Sequence, residues 1–266
     1  MTDLYRVTDL RLSLPDMTRK PLLGAAPRIE ILKGCTFTIP KGAVLGIVGG
    51  SGSGKSTLGR ALVRLLEPTG GSILFDGKDI THLGDDALRP LRRRFQMIFQ
   101  DPMSSLNPRH RVRTIIAEPL RLHGFDRIAE RVEQALDHVG LPRSFASRYP
   151  HELSGGQRQR VGIARAVALE PDFILADEIV SGLDVSSQAQ VLHLLERLVR
   201  DLGLTLAFVS HDLSVVRRLC SRVLVLHRGE IVEEGPTAAL FDAPQAAYTR
   251  ELLDAIPLPD PDQAWV

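Results

Sequence analysis

The sequence predicts an α/β fold: a mainly parallel sheet with helices on both faces, an N-terminal antiparallel β region and an inserted helical subdomain. Three observations predict it. The apolar run Val44-Leu45-Gly46-Ile47-Val48 enters a glycine-rich stretch, Gly49-Gly50-Ser51-Gly52-Ser53-Gly54-Lys55-Ser56-Thr57, and then helix-forming residues. From residue 157 onward, helix and strand patterns alternate, as a parallel sheet with crossover helices requires. Between these two regions, residues 101–152 show helical periodicity and no strand pattern.

The elements follow in order. Residues 5–14 alternate weakly and predict an edge strand, and 15–27, with prolines at 15, 21 and 27, predict a surface excursion. Residues 29–39 resume a strand pattern before the turn Pro40-Lys41-Gly42. A helix over 55–66 ends near Pro68, and a short strand over 72–75 closes at Asp76-Gly77. Residues 85–94 read as a polar helix whose Arg89, Arg92, Arg93 and Arg94 form a solvated basic face, or else touch a partner. An apolar stretch at 95–99 follows, then helices over 114–122 and 127–139, parted by Gly124 and ended by Gly140-Leu141-Pro142. The second half predicts helices at 157–169, 186–201 and 213–219, with strands at 173–176, 205–209, 222–226 and 230–233. Terminal helices at 236–241 and 245–253 precede a proline-rich tail at 257–262, expected to be disordered. These boundaries divide the chain into a core, 1–100 with 153–245, a helical subdomain, 101–152, and a C-terminal helix and tail, 246–266.

Composition narrows the function. With 266 residues and 44% hydrophobic content, the chain is long enough to bury a large core. Its 33 basic and 32 acidic residues leave a formal charge of +1, so no global field favours nucleic acid, and none is expected as a partner. Cys35 and Cys220 lie outside any C-x-x-C spacing and read as buried free thiols of a reducing compartment. The first residues lack the pattern of a signal peptide, and no apolar run approaches the roughly 18 residues of a membrane helix. A cytosolic chain that reaches a membrane only through partners is expected.

The chemistry begins at the glycine-rich loop. Gly49, Gly54, Lys55 and Ser56 fit the P-loop pattern G-x-x-x-x-G-K-[ST]. Glycines let successive backbone N–H groups turn inward around phosphate oxygens, and the helix start adds the positive end of its dipole. Lys55 supplies a mobile point charge, and the Ser56 hydroxyl is a ligand for Mg²⁺. This makes the core that of a P-loop NTPase. A second constellation, Phe173-Ile174-Leu175-Ala176-Asp177-Glu178, is an apolar strand that delivers two acids at its C-terminal end, where open α/β sheets bind ligands. One acid suits Mg²⁺, the other the attacking water; the plainer alternative is a strand ending in exposed acids. A third, Leu153-Ser154-Gly155-Gly156-Gln157, opens a helix with a hydroxyl and two glycines, which makes another anion site or a simple capping turn. Two phosphate-binding helix starts are redundant for one nucleotide unless they face it from opposite sides.

On these motifs the sequence resembles the ATP-binding cassette (ABC) family throughout its length. Residues 153–157 match that family's signature motif, 49–56 its Walker A and 173–177 its Walker B. The resemblance places Glu178 at the catalytic glutamate, Gln100 at the Q-loop, Ser181-Gly182-Leu183-Asp184 at the D-loop and His211 at the switch histidine. It implies an ABC nucleotide-binding domain that binds ATP and Mg²⁺. Gly49, Gly50, Ser51, Gly52, Ser53, Gly54, Lys55, Ser56 and Thr57 would hold the nucleotide. Ser56, Gln100 and Asp177 would attend the metal. Ser154, Gly155, Gly156, Gln157 and Asp184 would close the site from a second cassette in a head-to-tail dimer.

Finer resemblance points to the ATPases of oligopeptide, dipeptide and nickel importers. It is carried by Phe99-Gln100-Asp101-Pro102-Met103-Ser104-Ser105-Leu106-Asn107-Pro108-Arg109, by Arg148-Tyr149-Pro150-His151-Glu152-Leu153-Ser154, by Asp184-Val185-Ser186 and by Ala247-Tyr248-Thr249-Arg250-Glu251-Leu252-Leu253. That branch implies a second ATPase subunit (self or paralogue), two integral-membrane permeases, an extracytoplasmic solute-binding protein and a place on the cytoplasmic face of the cell membrane. Arg109 would lie near the surface that meets the permeases. Two rivals are a cassette of a soluble assembly, as in phosphonate degradation, and a nucleic-acid-associated ABC ATPase. Three positions depart from the family's habit. Leu14 stands where an aromatic commonly stacks on adenine, which predicts weaker adenine discrimination. Ile179 replaces a usual Pro, and Gly182 a frequent Ala, which predicts a looser backbone beside Glu178.

Overall fold

The computed structural model describes residues 2–19 and 24–255. The tail at 257–262 and part of the excursion at 15–27 lie outside the described residues.

The N-terminal strand is an interior strand, not an edge. β1 (Asp3–Pro15) lies between β2 (Arg28–Pro40) and β4 (Gly70–Phe75) in an antiparallel sheet of order β2-β1-β4-β5, with β5 at Lys78–Asp79. Its alternation looked weak because the ladder slips between Val7 and Leu10, where Asp9 takes a φ of 45°. Such a bulge inserts residues and shifts the phase of the apolar positions. Tyr5 and Val7 before it, and Leu10 and Leu12 after it, all point into the core.

β3 (Val44–Val48) starts the second sheet and feeds α1 (Lys55–Leu62). The helix ends earlier than the pattern to residue 66 suggests. Arg64 adopts a left-handed φ of 51° and turns inward, where its Nε donates to the Ile80 carbonyl at 2.8 Å. The chain continues through α2 (Asp85–Arg92) and β6 (Phe95–Ile98). Helices α3 (Pro102–Ser105), α4 (Val112–Leu122) and α5 (Ile128–His138) follow, with two short 3-10 turns. α6 (Gly155–Val167), β7 (Phe173–Asp177), α7 (Val185–Leu202), β8 (Thr205–Val209) and α8 (Leu213–Leu219) restore the alternation. β9 (Arg222–His227), β10 (Glu230–Pro236), α9 (Thr237–Asp242) and α10 (Ala247–Asp254) complete it.

The second sheet has the order β10-β9-β3-β8-β7-β6. All its pairs are parallel except β9–β10. Both faces are covered, so alternate residues of one strand enter different cores. In β7, Phe173 and Leu175 pack toward the antiparallel sheet and α1, whereas Ile174 and Ala176 pack toward the helical layer. That explains why these strands read as unbroken apolar runs.

The arginine stretch is more than a solvated face. Arg94 Nε donates to Asp172 at 2.6 Å and its second arm to Asp76 at 2.7 Å, which ties the end of β4 to the start of β7. Lys41 pairs with the same Asp76 at 2.7 Å. Lys41 and Arg94 together hold the Asp76 carboxyl below its ordinary range. Arg94→Met is expected to cost about 1.5–3 kcal/mol at neutral pH, the worth of a charged hydrogen bond. A carboxyl with a lowered folded pKa contributes its stability above the unfolded value of 3.8 and loses it as pH falls through the folded value. Urea melts should therefore show the difference from wild type shrinking in acid. An undiminished difference there would assign the effect to packing of Arg94 on the Phe75 ring, 4.9 Å away.

Candidate functional site

Strand order assembles the site. β3, β8, β7 and β6 lie side by side and parallel, so their C-terminal ends share one edge. The glycine loop leaves β3, His211 follows β8, Asp177 ends β7 with Glu178 next to it, and Gln100 follows β6. Residues far apart in the chain thereby meet over the start of α1.

The loop backbone demands its glycines at both ends. Gly49 has a φ of 149°, and a Cβ there would lie 2.1 Å from the Leu226 carbonyl oxygen. Gly54 caps α1 at a φ of 105°. Ser51, Gly52 and residues 54–57 share a cavity of about 580 Å³ with Ile31, Glu178 and His211. Lys55 Nζ donates to the Gly49 and Gly50 carbonyls at 2.8 and 2.9 Å. Burial pushes its pKa down, opposed by the nearby Glu178 and Asp177 carboxylates. Ser53 is buried, and its hydroxyl has no partner among the described residues.

The acids divide into an inner and an outer one. Asp177 is buried and accepts a hydrogen bond from the Ser56 hydroxyl at 2.8 Å, with Arg60 3.7 Å away. Burial raises its pKa despite those two partners. Glu178 stands further out, at a left-handed φ of 52°. Its N–H donates to the Val209 carbonyl at 3.0 Å, and the Ser181 hydroxyl donates to its carbonyl at 2.7 Å. The carboxylate meets Gln100 Nε2 at 2.9 Å and His211 Nδ1 at 3.6 Å. Ile179, beside the acid, is 1% exposed and packs in the core. Gly182, at a φ of 77°, occupies a conformation that glycine enters without strain.

The structure does not bring the Ser154 group to this cavity. Ser154 caps α6, accepting from the Gln157 N–H at 3.3 Å while Gln157 Oε1 accepts from the Ser154 N–H at 3.0 Å. Gly155 and Gly156 form the first helical turn beside α7, where a Cβ on Gly156 would come within 3.1 Å of the Ser187 hydroxyl. Asp184 caps α7 by accepting from Ser187 N–H at 2.9 Å and from its hydroxyl at 2.7 Å. The Ser187 hydroxyl and N–H hold its carboxyl below the ordinary range. Three residues of the site's backing escaped sequence reasoning: Ile31, Arg60 and Tyr248, whose hydroxyl accepts the Gly50 N–H at 2.8 Å. Tyr248 sat in a stretch that carried the branch resemblance, but its spacing held no hint of the loop. Leu14 pairs with Ile29 and packs against the core behind the antiparallel sheet, while Ile31 is the apolar side chain that lines the cavity.

Comparison with known proteins follows the same lines. The sequence model of the ABC transporter family matches residues 32–181. The oligopeptide transport ATP-binding protein AppF of Bacillus subtilis is 51% identical over 234 residues, spanning 86% of this chain and 71% of AppF. The glutathione import ATP-binding protein GsiA of Salmonella paratyphi A is 50% identical over 238 residues, 88% of this chain but 38% of the longer GsiA. Among solved structures, the dimeric post-hydrolysis state of the cassette MJ0796 with ADP and phosphate superposes with a TM-score of 0.76. It is 30% identical and covers 88% of this chain and 98% of its own.

Proposed function

The chain belongs to the ABC transporter family, and we propose that it serves there as the ATP-hydrolysing subunit of an importer of small peptides. The convergence of Gln100, Glu178 and His211 beyond Lys55 and Ser56 is the observation that carries the hydrolytic reading. Residues 49–57 take the ATP phosphates on backbone N–H groups, and Lys55 turns from its own loop carbonyls to the outer phosphates. Glu178 accepts a proton from the attacking water as its oxygen bonds to the γ-phosphorus and the bond to the bridging oxygen breaks, leaving ADP and phosphate. His211 and Gln100 hold that carboxylate and meet the γ-phosphate.

Mg²⁺ fits the donor set. The Ser56 hydroxyl and the Asp177 carboxylate meet at the mouth of the loop, and no group of three His, Cys, Asp or Glu gathers among the described residues. That suits an ion carried mainly by phosphates and water, with Ser56, Asp177 and Gln100 as its protein partners. When bound, it would neutralise charge developing on the phosphate oxygens. Ser154, Gly155, Gly156, Gln157 and Asp184 lie apart from their own loop and are read as closing the site of a second cassette, a copy or a paralogue.

The membrane partner would dock beside β6. A hollow of about 710 Å³ lies among β6, α2 and α4, lined by Leu65, Met97, Phe99 and Leu122 with Arg92 and Glu118. Leu122, the last residue of α4, is an apolar side chain that is 63% exposed. Among the described residues no helix is long and apolar enough to cross a membrane, and the membrane part of the proposed importer would be supplied by permeases. Two such permeases and an extracytoplasmic solute-binding protein complete the proposed importer.

Co-expression with candidate permease subunits from the same genome tests the reading. The chain is expected to co-purify with two membrane subunits and to drive ATP-dependent dipeptide uptake in proteoliposomes supplied with the binding protein. Leu122→Glu should lower recovery of that complex by at least about tenfold, since docking would bury an unpaired carboxylate, while nucleotide binding persists. Recovery with soluble enzymes alone would overturn the importer reading, and uptake of nickel in place of peptide would overturn the peptide assignment.

A further inference from the structure

The phosphate loop is held from outside by the C-terminal part of the chain, at two points. Its residues 50–53 form a turn, with the Ser53 N–H donating to the Gly50 carbonyl at 3.3 Å. At one corner, the Ser53 carbonyl accepts the N–H of Gly229, in the turn between β9 and β10, at 2.9 Å. At the other, the Gly50 N–H donates to the Tyr248 hydroxyl at 2.8 Å, across 198 residues of sequence. Tyr248 is itself placed by two supports. Its ring packs on His227, the last residue of β9, with centroids 3.8 Å apart. The start of α10 lacks a side-chain cap of its own, and Glu233 of β10 replaces one by accepting the N–H groups of Gln245 and Ala246 at 2.9 and 3.0 Å.

The Gly49–Gly50 peptide unit is therefore gripped at both ends. Its carbonyl accepts Lys55 Nζ, and its N–H donates to Tyr248. Gly50 has almost no steric barrier to rotation of its flanking peptides, so hydrogen bonds must set their planes. When Lys55 moves to a phosphate, the carbonyl loses its ammonium, and the phenol is left as the hold on that unit. A hydroxyl is required here; a phenylalanine ring fills the same space and accepts nothing from an N–H.

We propose that Tyr248 is a positioning residue for nucleotide binding: its hydroxyl fixes the Gly49–Gly50 peptide, so that α10 sets the shape of the phosphate loop. This rests on the reading of residues 49–57 as the ATP site. Loop order in the bound state depends on the hydrogen bond, whereas the chemical step depends on Glu178, Gln100 and His211, which Tyr248 does not touch. The effect therefore falls on affinity and spares turnover.

Tyr248→Phe in the full chain tests it. The variant is expected to raise Kd for ATP and for ADP, and KM for ATP, by roughly 3–10-fold, the size of one backbone hydrogen bond. Its kcat should stay within about twofold of wild type. Glu251→Ala, an exposed change on the same helix, should leave all of these unchanged. Unaltered Kd and KM in Tyr248→Phe would overturn the proposal, as would a fall in kcat with KM unchanged. Lys55→Ala run alongside separates the two levels. Near-wild-type ATP affinity in that variant would mean that the ATP-site reading itself is wrong. Lost affinity there, with none lost in Tyr248→Phe, would refute only the phenol's role. Should Tyr248→Phe fold poorly, amide exchange in the wild-type protein decides. The Gly50 N–H is expected to exchange at least about tenfold more slowly than that of Gly52, and equal rates would overturn the proposal.

Discussion

Glu178→Gln is expected to bind ATP as wild type does and to lose about 10²–10⁴-fold in hydrolysis rate, the usual share of a general base. The amide keeps the shape of the side chain, and the backbone that aims it does not depend on the carboxylate. The Glu178 N–H bonds the Val209 carbonyl and its own carbonyl is held by Ser181, so the left-handed turn survives the change. What is lost is the proton acceptor. The interaction with His211, 3.6 Å away, weakens at the same time, because a neutral amide attracts an imidazole less than a carboxylate does. Single-turnover hydrolysis with equilibrium ATP binding reads the two effects separately. A variant that turns over at the wild-type rate would show that another group activates the water.

Lys55→Ala is the second large effect, and it acts on affinity. The ammonium sits among backbone carbonyls at the loop, where burial already lowers its pKa. Water is a poor substitute for a charge in such a place. Charge-assisted hydrogen bonds contribute about 1.5–3 kcal/mol each, so losing two to the phosphates should weaken ATP binding by roughly 10²–10⁴-fold. Titration with a fluorescent ATP analogue measures it. Because the loop's backbone N–H groups remain, binding of a nucleoside monophosphate should fall much less. An equal loss for both nucleotides would indicate collapse of the loop instead of a missing charge.

Much of this was written locally. The run from Val44 to Thr57 declares a strand, a turn that only glycine enters and a helix start, and each follows from its own residues. The capping pair Ser154 and Gln157 is likewise a matter of four consecutive residues. The failures have equally specific causes. β1 read as an edge because a bulge at Asp9 hid two phases of one apolar face. α1 was drawn too long because an arginine looks like helix surface until its guanidinium is seen satisfying the Ile80, Leu66 and Leu83 carbonyls.

The sequence by itself determined the α/β class, the phosphate loop and the paired acids, because periodicity, glycine placement and helix capping are short-range effects. Which of those parts face one another was decided by the tertiary structure. Strand order sets Gln100 against Glu178 across 78 residues and Tyr248 against Gly50 across 198. The same order leaves Ser154 outside the cavity of its own loop. No local pattern encodes those distances, since they arise from how sheets and helices stack to bury two cores at once.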